Sequence, residues 1–346
     1  MVMVEFFQMG GIKTMKKLLT VLLAVMLVLG LAGCNKKPAD EVKTYKIGVT
    51  IYQFDDNFMT LYRNNIKAYF DDLNSKDPKV QYDCQIVDAA NDMATQTEQV
   101  NTFISQGVDV LIVNLVQTSS GETIAKLCAD AKVPVVFINR EMGGYNYPEN
   151  QCYVGADARD SGTFQGQIIY DLPNHGDLDG DGVVNYIMIM GDPENSDAQF
   201  RTEFSIKYLT DNGVKVNCLD QRTGNWAQSE GQEICANNLA NFGKQIEVVF
   251  CNNDGMALGA YQAIQAAGRT VGTDIYLVGV DALPECVQMV KDGTMTGTVL
   301  NDDKGQAKAA CEAAIAFLNG QKPANYPVNY VPYVKVTTAN ADDYLK

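Results

Sequence analysis

Residues 108–138 read VDVLIVNLVQTSSGETIAKLCADAKVPVVFI. Two short apolar runs, 108–113 and 133–138, enclose a segment of helical period at 121–131. Runs rich in Val and Ile, joined through a helix, describe parallel strands covered on both faces. Working toward the N-terminus, 94–106 reads as a helix and 82–87 as a strand. Before them come a helix at 60–73 and a strand at 46–52 (KIGVTIY).

Beyond residue 138 the alternation restarts. A helix at 160–172 precedes the strand VNYIMIM at 184–190 and a helix at 198–209. The strand 214–219, helix 227–241, strand 246–251 (IEVVFC), helix 256–267 and strand 275–280 (IYLVGV) follow. The helix 284–291, strand 297–300, helix 304–318 and strand 331–336 complete the chain. These are two α/β units of about equal size, and 346 residues suit two lobes better than one. No low-complexity linker separates them, so short crossings join them.

Composition narrows the function classes. A formal net charge of −15 repels phosphate backbones and anionic lipid heads, which disfavours nucleic-acid binding. The chain is 46% hydrophobic and 20% charged, enough apolar content for an ordinary core.

The N-terminus predicts export. Lys16 and Lys17 precede an apolar run at 18–31 that is short for a membrane span and ends Leu31-Ala32-Gly33-Cys34. Leu-Ala-Gly-Cys looks like a lipobox, with cleavage before Cys34 and lipid on its thiol. The expectation is a signal peptide over 1–33, starting in truth at Met15, and a lipid-anchored tether over 34–43. Among the nine cysteines none forms a C-x-x-C pair. Cys84, Cys218 and Cys251 fall in apolar strands, and Cys128, Cys235, Cys286 and Cys311 in helix-like segments. They read as buried free thiols acting as small hydrophobes, although disulfides are permitted outside the cell.

Sites in parallel α/β sheets gather beyond the carboxyl ends of the strands. Nearly every strand here exits into Asp, Asn or Arg. The exits include Phe54-Asp55-Asp56-Asn57-Phe58, Asn139-Arg140-Glu141, Asn195-Ser196-Asp197 with Arg201, Asn225-Trp226, Asn252-Asn253-Asp254, Asp281-Ala282 and Asn301-Asp302. Carboxylates, amides and a guanidinium satisfy the hydroxyls of a sugar, each of which both donates and accepts. Phe58 and Trp226 supply apolar planes for the two C–H faces of a pyranose. The competing reading is that Asp and Asn after strands are helix caps and turn formers.

Thr50-Ile51-Tyr52, Asp55-Asp56-Asn57-Phe58-Met59, Asn252-Asn253-Asp254, Gly279-Val280-Asp281-Ala282-Leu283-Pro284-Glu285 and Gly297-Thr298-Val299-Leu300-Asn301-Asp302 resemble the bacterial galactose/glucose-binding protein family. The likeness runs from about Tyr45 to the C-terminus. It implies an α/β fold of the type I periplasmic-binding-protein class, two Rossmann-like lobes with parallel sheets. It also implies that the positions matching Asp56, Phe58, Asn139, Asp197, Arg201, Trp226, Asn253, Asp281 and Asn301 hold a hexose. Asn195 stands where the family has a histidine, so the fine sugar preference is open. The lobes are expected at 44–155 with 303–331, and at 157–300 with 334–346. The chain crosses between them near 155–157, 300–303 and 330–334, and the hinge closes on sugar.

Asp177-Leu178-Asp179-Gly180-Asp181-Gly182-Val183-Val184-Asn185 places oxygen ligands at positions 1, 3, 5 and 9 of an EF-hand-like loop. Position 6 is Gly, and Val183 offers a carbonyl. Met188 occupies position 12, and a strand follows rather than a helix. The resemblance implies that the distant Glu247 completes a structural Ca²⁺ site. Without a metal, the stretch is an acidic turn. His175, the one histidine, reads as a surface loop residue.

No Ser-His-Asp set, phosphate-binding G-x-x-x-x-G-K or G-x-G-x-x-G after a strand is present, so a binding protein is expected rather than an enzyme. A transcription regulator of the same fold needs a DNA-binding head where this chain has its leader. The resemblance implies a monomer that binds D-galactose or D-glucose and serves the membrane subunits of an ABC importer. A chemoreceptor is a further expected partner. The alternative is a receptor for a pentose or another hexose.

Overall fold

The computed structural model describes residues 42–345. The leader, Cys34 and all but the last two tether residues lie outside them. Lys43, assigned to the tether, already belongs to the first strand.

The first lobe is a six-stranded sheet of β1 (Lys43–Ile51), β2 (Val80–Asp88), β3 (Val110–Val113), β4 (Val135–Ile138), β5 (Gln151–Gly155) and β11 (Val328–Tyr330). The spatial order is β11-β5-β4-β3-β1-β2, with β1, β3, β4, β5 and β11 parallel. Alternate residues of β3 and β4 feed opposite cores. Val110, Ile112, Val136 and Ile138 pack with Ile66 and Phe70 of α1 (Asn57–Lys76) and Ala310 and Ala314 of α9 (Asp303–Leu318). Leu111, Val113, Val135 and Phe137 pack with Phe103 of α2 (Met93–Ser105) and Ile124 of α3 (Gly121–Ala131). This two-sided burial is why the strands read as unbroken apolar runs.

The second lobe repeats the plan. Its strands are β6 (Val184–Met190), β7 (Val216–Thr223), β8 (Val248–Cys251), β9 (Tyr276–Val278), β10 (Thr298–Leu300) and β12 (Val334–Val336). The order β7-β6-β8-β9 is parallel. Single bridges, Val278 to Gly297 and Asp281 to Leu300, carry it on to the antiparallel β10–β12 pair. Helices α4 (Ala158–Tyr170), α5 (Ser196–Asp211), α6 (Gln228–Phe242), α7 (Asp254–Ala266) and α8 (Pro284–Lys291) cover it. The two lobes match strand for strand, β1 with β6 and β3 with β8. The strand order reverses between β1 and β3 and again between β6 and β8, which places a ligand crevice at the carboxyl ends of both sheets.

Sequence periodicity anticipates neither β5 nor β11. β5 is a fully buried strand that carries a polar Gln151 and ends in Gly155. β11 has three residues and follows Pro327 directly. The last strand begins at Val334 rather than 331, since Pro332 offers no N–H to a ladder.

All eight described cysteines are free thiols. Cys218 departs from the expectation of burial. It is exposed, because β7 is the edge strand of its sheet and alternate side chains there face water. His175 is an exposed loop residue, its ring stacked on Tyr170 at 4.2 Å. Among the described residues, no helix is long and apolar enough to cross a membrane.

Candidate functional site

Between the lobes lies a small, partly enclosed cavity. Phe58 of the first lobe and Trp226 of the second line this one cavity. Asp56, Asn139, Asn195, Asp197 and Arg201 also line it, as do Asn253, Asp281 and Asn301. The structure therefore brings together all ten residues singled out from strand ends and resemblance.

Capping and site duty turn out to be compatible. Asp56 caps α1, with Oδ1 accepting from the Met59 amide at 2.7 Å, while Oδ2 accepts from the Tyr52 hydroxyl at 2.6 Å. Asn253 caps α7 through Oδ1 (Met256 amide, 2.9 Å) and donates from Nδ2 to the Trp226 carbonyl at 3.2 Å. Asn195 caps α5, its Oδ1 accepting from the Asp197 amide at 3.0 Å. Helix starts thus fix side chains that also face the cavity.

The indole of Trp226 lies against the backbone at the end of β6. A Cβ on Gly191 would sit 2.2 Å from the ring, so only glycine fits there. Trp226 itself has φ 67° and Asn225 φ 48°, both in the left-handed region.

The charged floor is deeply buried. Arg201 is 3.5 Å from Asp197 and 3.9 Å from Asp281. It also donates to the Asn252 carbonyl at 2.8 Å and the Tyr333 hydroxyl at 3.1 Å. Burial pushes the Asp197 carboxyl up to about 6, and Arg201 opposes the rise only in part. Burial likewise holds Asp281 well above the ordinary carboxylate range, again against Arg201. Asn301 donates to Asp281 Oδ1 at 3.3 Å and accepts from Gln306 at 2.5 Å. Asn139, at φ 63°, accepts from Asn114 at 3.1 Å.

Three lining residues escaped the sequence reading as site residues: Tyr52, Met59 and Arg140. Tyr52 ends the first strand motif and Arg140 follows Asn139, so adjacency was the available signal. The Arg140 guanidinium lies over the Tyr52 ring at 3.7 Å and donates to the Val116 carbonyl. Tyr333 stands behind Arg201 without any sequence signal.

In the acidic loop, carboxylate oxygens of Asp177, Asp179 and Glu247 come within 4.8 Å of one another. Glu247 accepts from the amides of Leu178 (2.6 Å) and Asn185 (2.7 Å), which joins β8 to the loop. Asp177 accepts from the Gly180 and Gly182 amides at 2.6 and 2.8 Å. Of the other expected ligands, Asp181 accepts from the Val183 amide at 2.8 Å, and Asn185 Oδ1 accepts from Asn217 at 2.8 Å. Three crowded carboxylates are the kind of donor set that hard cations take, and Asp181 lies outside that cluster.

The periplasmic binding protein domain profile matches residues 47–322. The chain belongs to the periplasmic binding protein family. It is 34% identical over 316 residues to the D-galactose/methyl-galactoside binding periplasmic protein of Haemophilus influenzae, covering 87% of this chain and 92% of that one. It is 35% identical over 300 residues to a Rhizobium meliloti protein named for rhizopine binding, covering 86% and 92%. A solute binding protein of an ABC transporter from Bacillus halodurans, solved with bound myo-inositol, superposes with a TM-score of 0.76 at 30% identity, covering 88% and 98%. These relatives are binding proteins, not enzymes, and the α/β fold with parallel sheets is theirs.

Proposed function

We propose that this chain is the extracytoplasmic sugar-binding component of an ABC importer and that its ligand is a pyranose hexose, D-galactose or D-glucose. The observation that carries the reading is the single small cavity with Phe58 from one lobe and Trp226 from the other. Around it stand three carboxylates, two guanidiniums and four amides, a set matched to neutral hydroxyls. Two guanidiniums against three carboxylates do not favour a phosphorylated sugar.

The likeness to the Haemophilus influenzae galactose protein supports the hexose. The solved neighbour with myo-inositol supports a second reading, a cyclic polyol without a ring oxygen. Closure of the lobes on ligand presents the docking form to the membrane subunits. Cys34 carries a lipid that holds the protein at the outer face of the membrane. Asp177, Asp179, Asp181, Val183, Asn185 and Glu247 hold Ca²⁺, which neutralises their mutual repulsion and secures the β6–β8 side of the second lobe. A thermal-shift panel of monosaccharides and inositols on the mature protein tests the ligand. D-galactose and D-glucose are expected to raise the melting temperature most, and a response to inositol alone transfers the reading to polyols.

A further inference from the structure

Asp254 belongs to the Asn252-Asn253-Asp254 motif, yet it does not line the cavity. It is fully buried, and among the described residues no cation lies within ion-pair distance of it. A buried carboxylate is costly unless its hydrogen bonds are put to use. Oδ1 accepts the Thr298 hydroxyl at 2.7 Å and Oδ2 accepts the Leu283 amide at 2.9 Å. Its own amide donates to the Val280 carbonyl at 2.7 Å. Gly279 leaves the room for this, since a Cβ there would sit 2.2 Å from Oδ1.

The bonds fall on both sides of a strained turn. Asp281 has φ 123° and Ala282 φ 53°, two successive non-glycine residues in a region that disfavours a Cβ. Leu283 follows directly, and Thr298 Oγ1 accepts from the Ala282 amide at 3.3 Å. The turn carries Asp281, whose carboxylate meets Arg201 and Asn301. Asp254 also sits beside Asn253, which holds the Trp226 carbonyl.

We propose that Asp254 is a positioning residue for ligand binding: its two carboxylate oxygens clamp the Asp281–Ala282 turn and so aim the Asp281 carboxylate into the cavity. The inference rests on the sugar-binding reading and adds to it a residue that touches no ligand.

Calorimetry with D-galactose or D-glucose, beside ligand-free melting curves, tests it on Asp254→Asn, Asp254→Ala and Thr298→Val, each with and without Ala282→Gly. Asp254→Asn keeps an acceptor for Leu283 and an N–H for Thr298 Oγ1, so it binds within about threefold of wild type. Asp254→Ala loses at least about tenfold and Thr298→Val about three- to tenfold. Ala282→Gly recovers part of both losses, because glycine adopts the left-handed turn freely. It recovers nothing in Trp226→Ala, where the turn is intact. Should Asp254→Ala fail to fold, Thr298→Val decides. Wild-type affinity in Thr298→Val and Asp254→Ala overturns the inference. So does a loss that follows the melting temperature and is untouched by Ala282→Gly. A wild-type chain that binds no monosaccharide overturns the sugar reading and this inference with it.

Discussion

Arg201 donates to the hydroxyl of Tyr333 at 3.1 Å, a bond between a cavity side chain and the third crossing of the chain. Arg201 also bridges Asp197 and Asp281, so one guanidinium joins the ligand floor to the hinge. Its Nε has no protein partner. Tyr333→Phe removes one of its few acceptors while leaving the packing intact. The expected loss is about 1 kcal/mol of stability and a several-fold weaker affinity for hexose. Melting curves and calorimetry on the same preparation check both, and unchanged values would detach Tyr333 from the site.

Asp197 sets a pH signature. A carboxyl raised by burial from its ordinary 3.8 to about 6 favours the folded state when protonated. Its contribution to stability is full below about pH 3.8 and is lost as the pH rises to about 6. Asp197→Asn imitates the protonated form. The ligand-free variant is therefore expected to melt higher than wild type near neutral pH and equally near pH 4. Hexose affinity falls in the same variant, since an amide cannot replace two acceptor oxygens. A variant that melts lower than wild type at neutral pH would contradict the account.

Gly191→Ala places a methyl against the Trp226 ring. Overpacking of this kind costs about 1–3 kcal/mol and displaces the indole. Hexose affinity is expected to drop about tenfold or more, read by titrating the intrinsic fluorescence of this single tryptophan. Full affinity would mean that the indole face does not meet the ligand.

Chelation tests the acidic loop. With Asp177, Asp179 and Glu247 crowded together, their mutual repulsion is uncompensated unless a cation is bound. The melting temperature is expected to fall by several degrees in chelator and to recover with Ca²⁺, not with Na⁺. Glu247→Gln, which keeps a backbone acceptor but removes a charge, blunts the recovery. Identical curves with and without chelator would leave an acidic turn.

Much of this was legible in the chain itself. The Val- and Ile-rich runs betrayed a two-sided parallel sheet because both faces of β3 and β4 are truly covered. The strand-end Asp and Asn residues were legible because a cap position and a crevice position coincide at Asp56, Asn195 and Asn253. What local pattern could not give came from distance along the chain. Tyr333 reaches the site from a crossing and Gln306 from the first turn of α9, and β5 and β11 are too short or too polar to announce themselves. Cys218 misled because apolar neighbours do not reveal that a strand lies at an edge.

The central claim is that both lobes close on one pyranose. Titration calorimetry of D-glucose into wild type, Phe58→Ala and Trp226→Ala measures it, one ring removed from each lobe. The account predicts one-site binding by wild type and a loss of about tenfold or more in each variant. No binding by wild type, or full affinity in either variant, would contradict it.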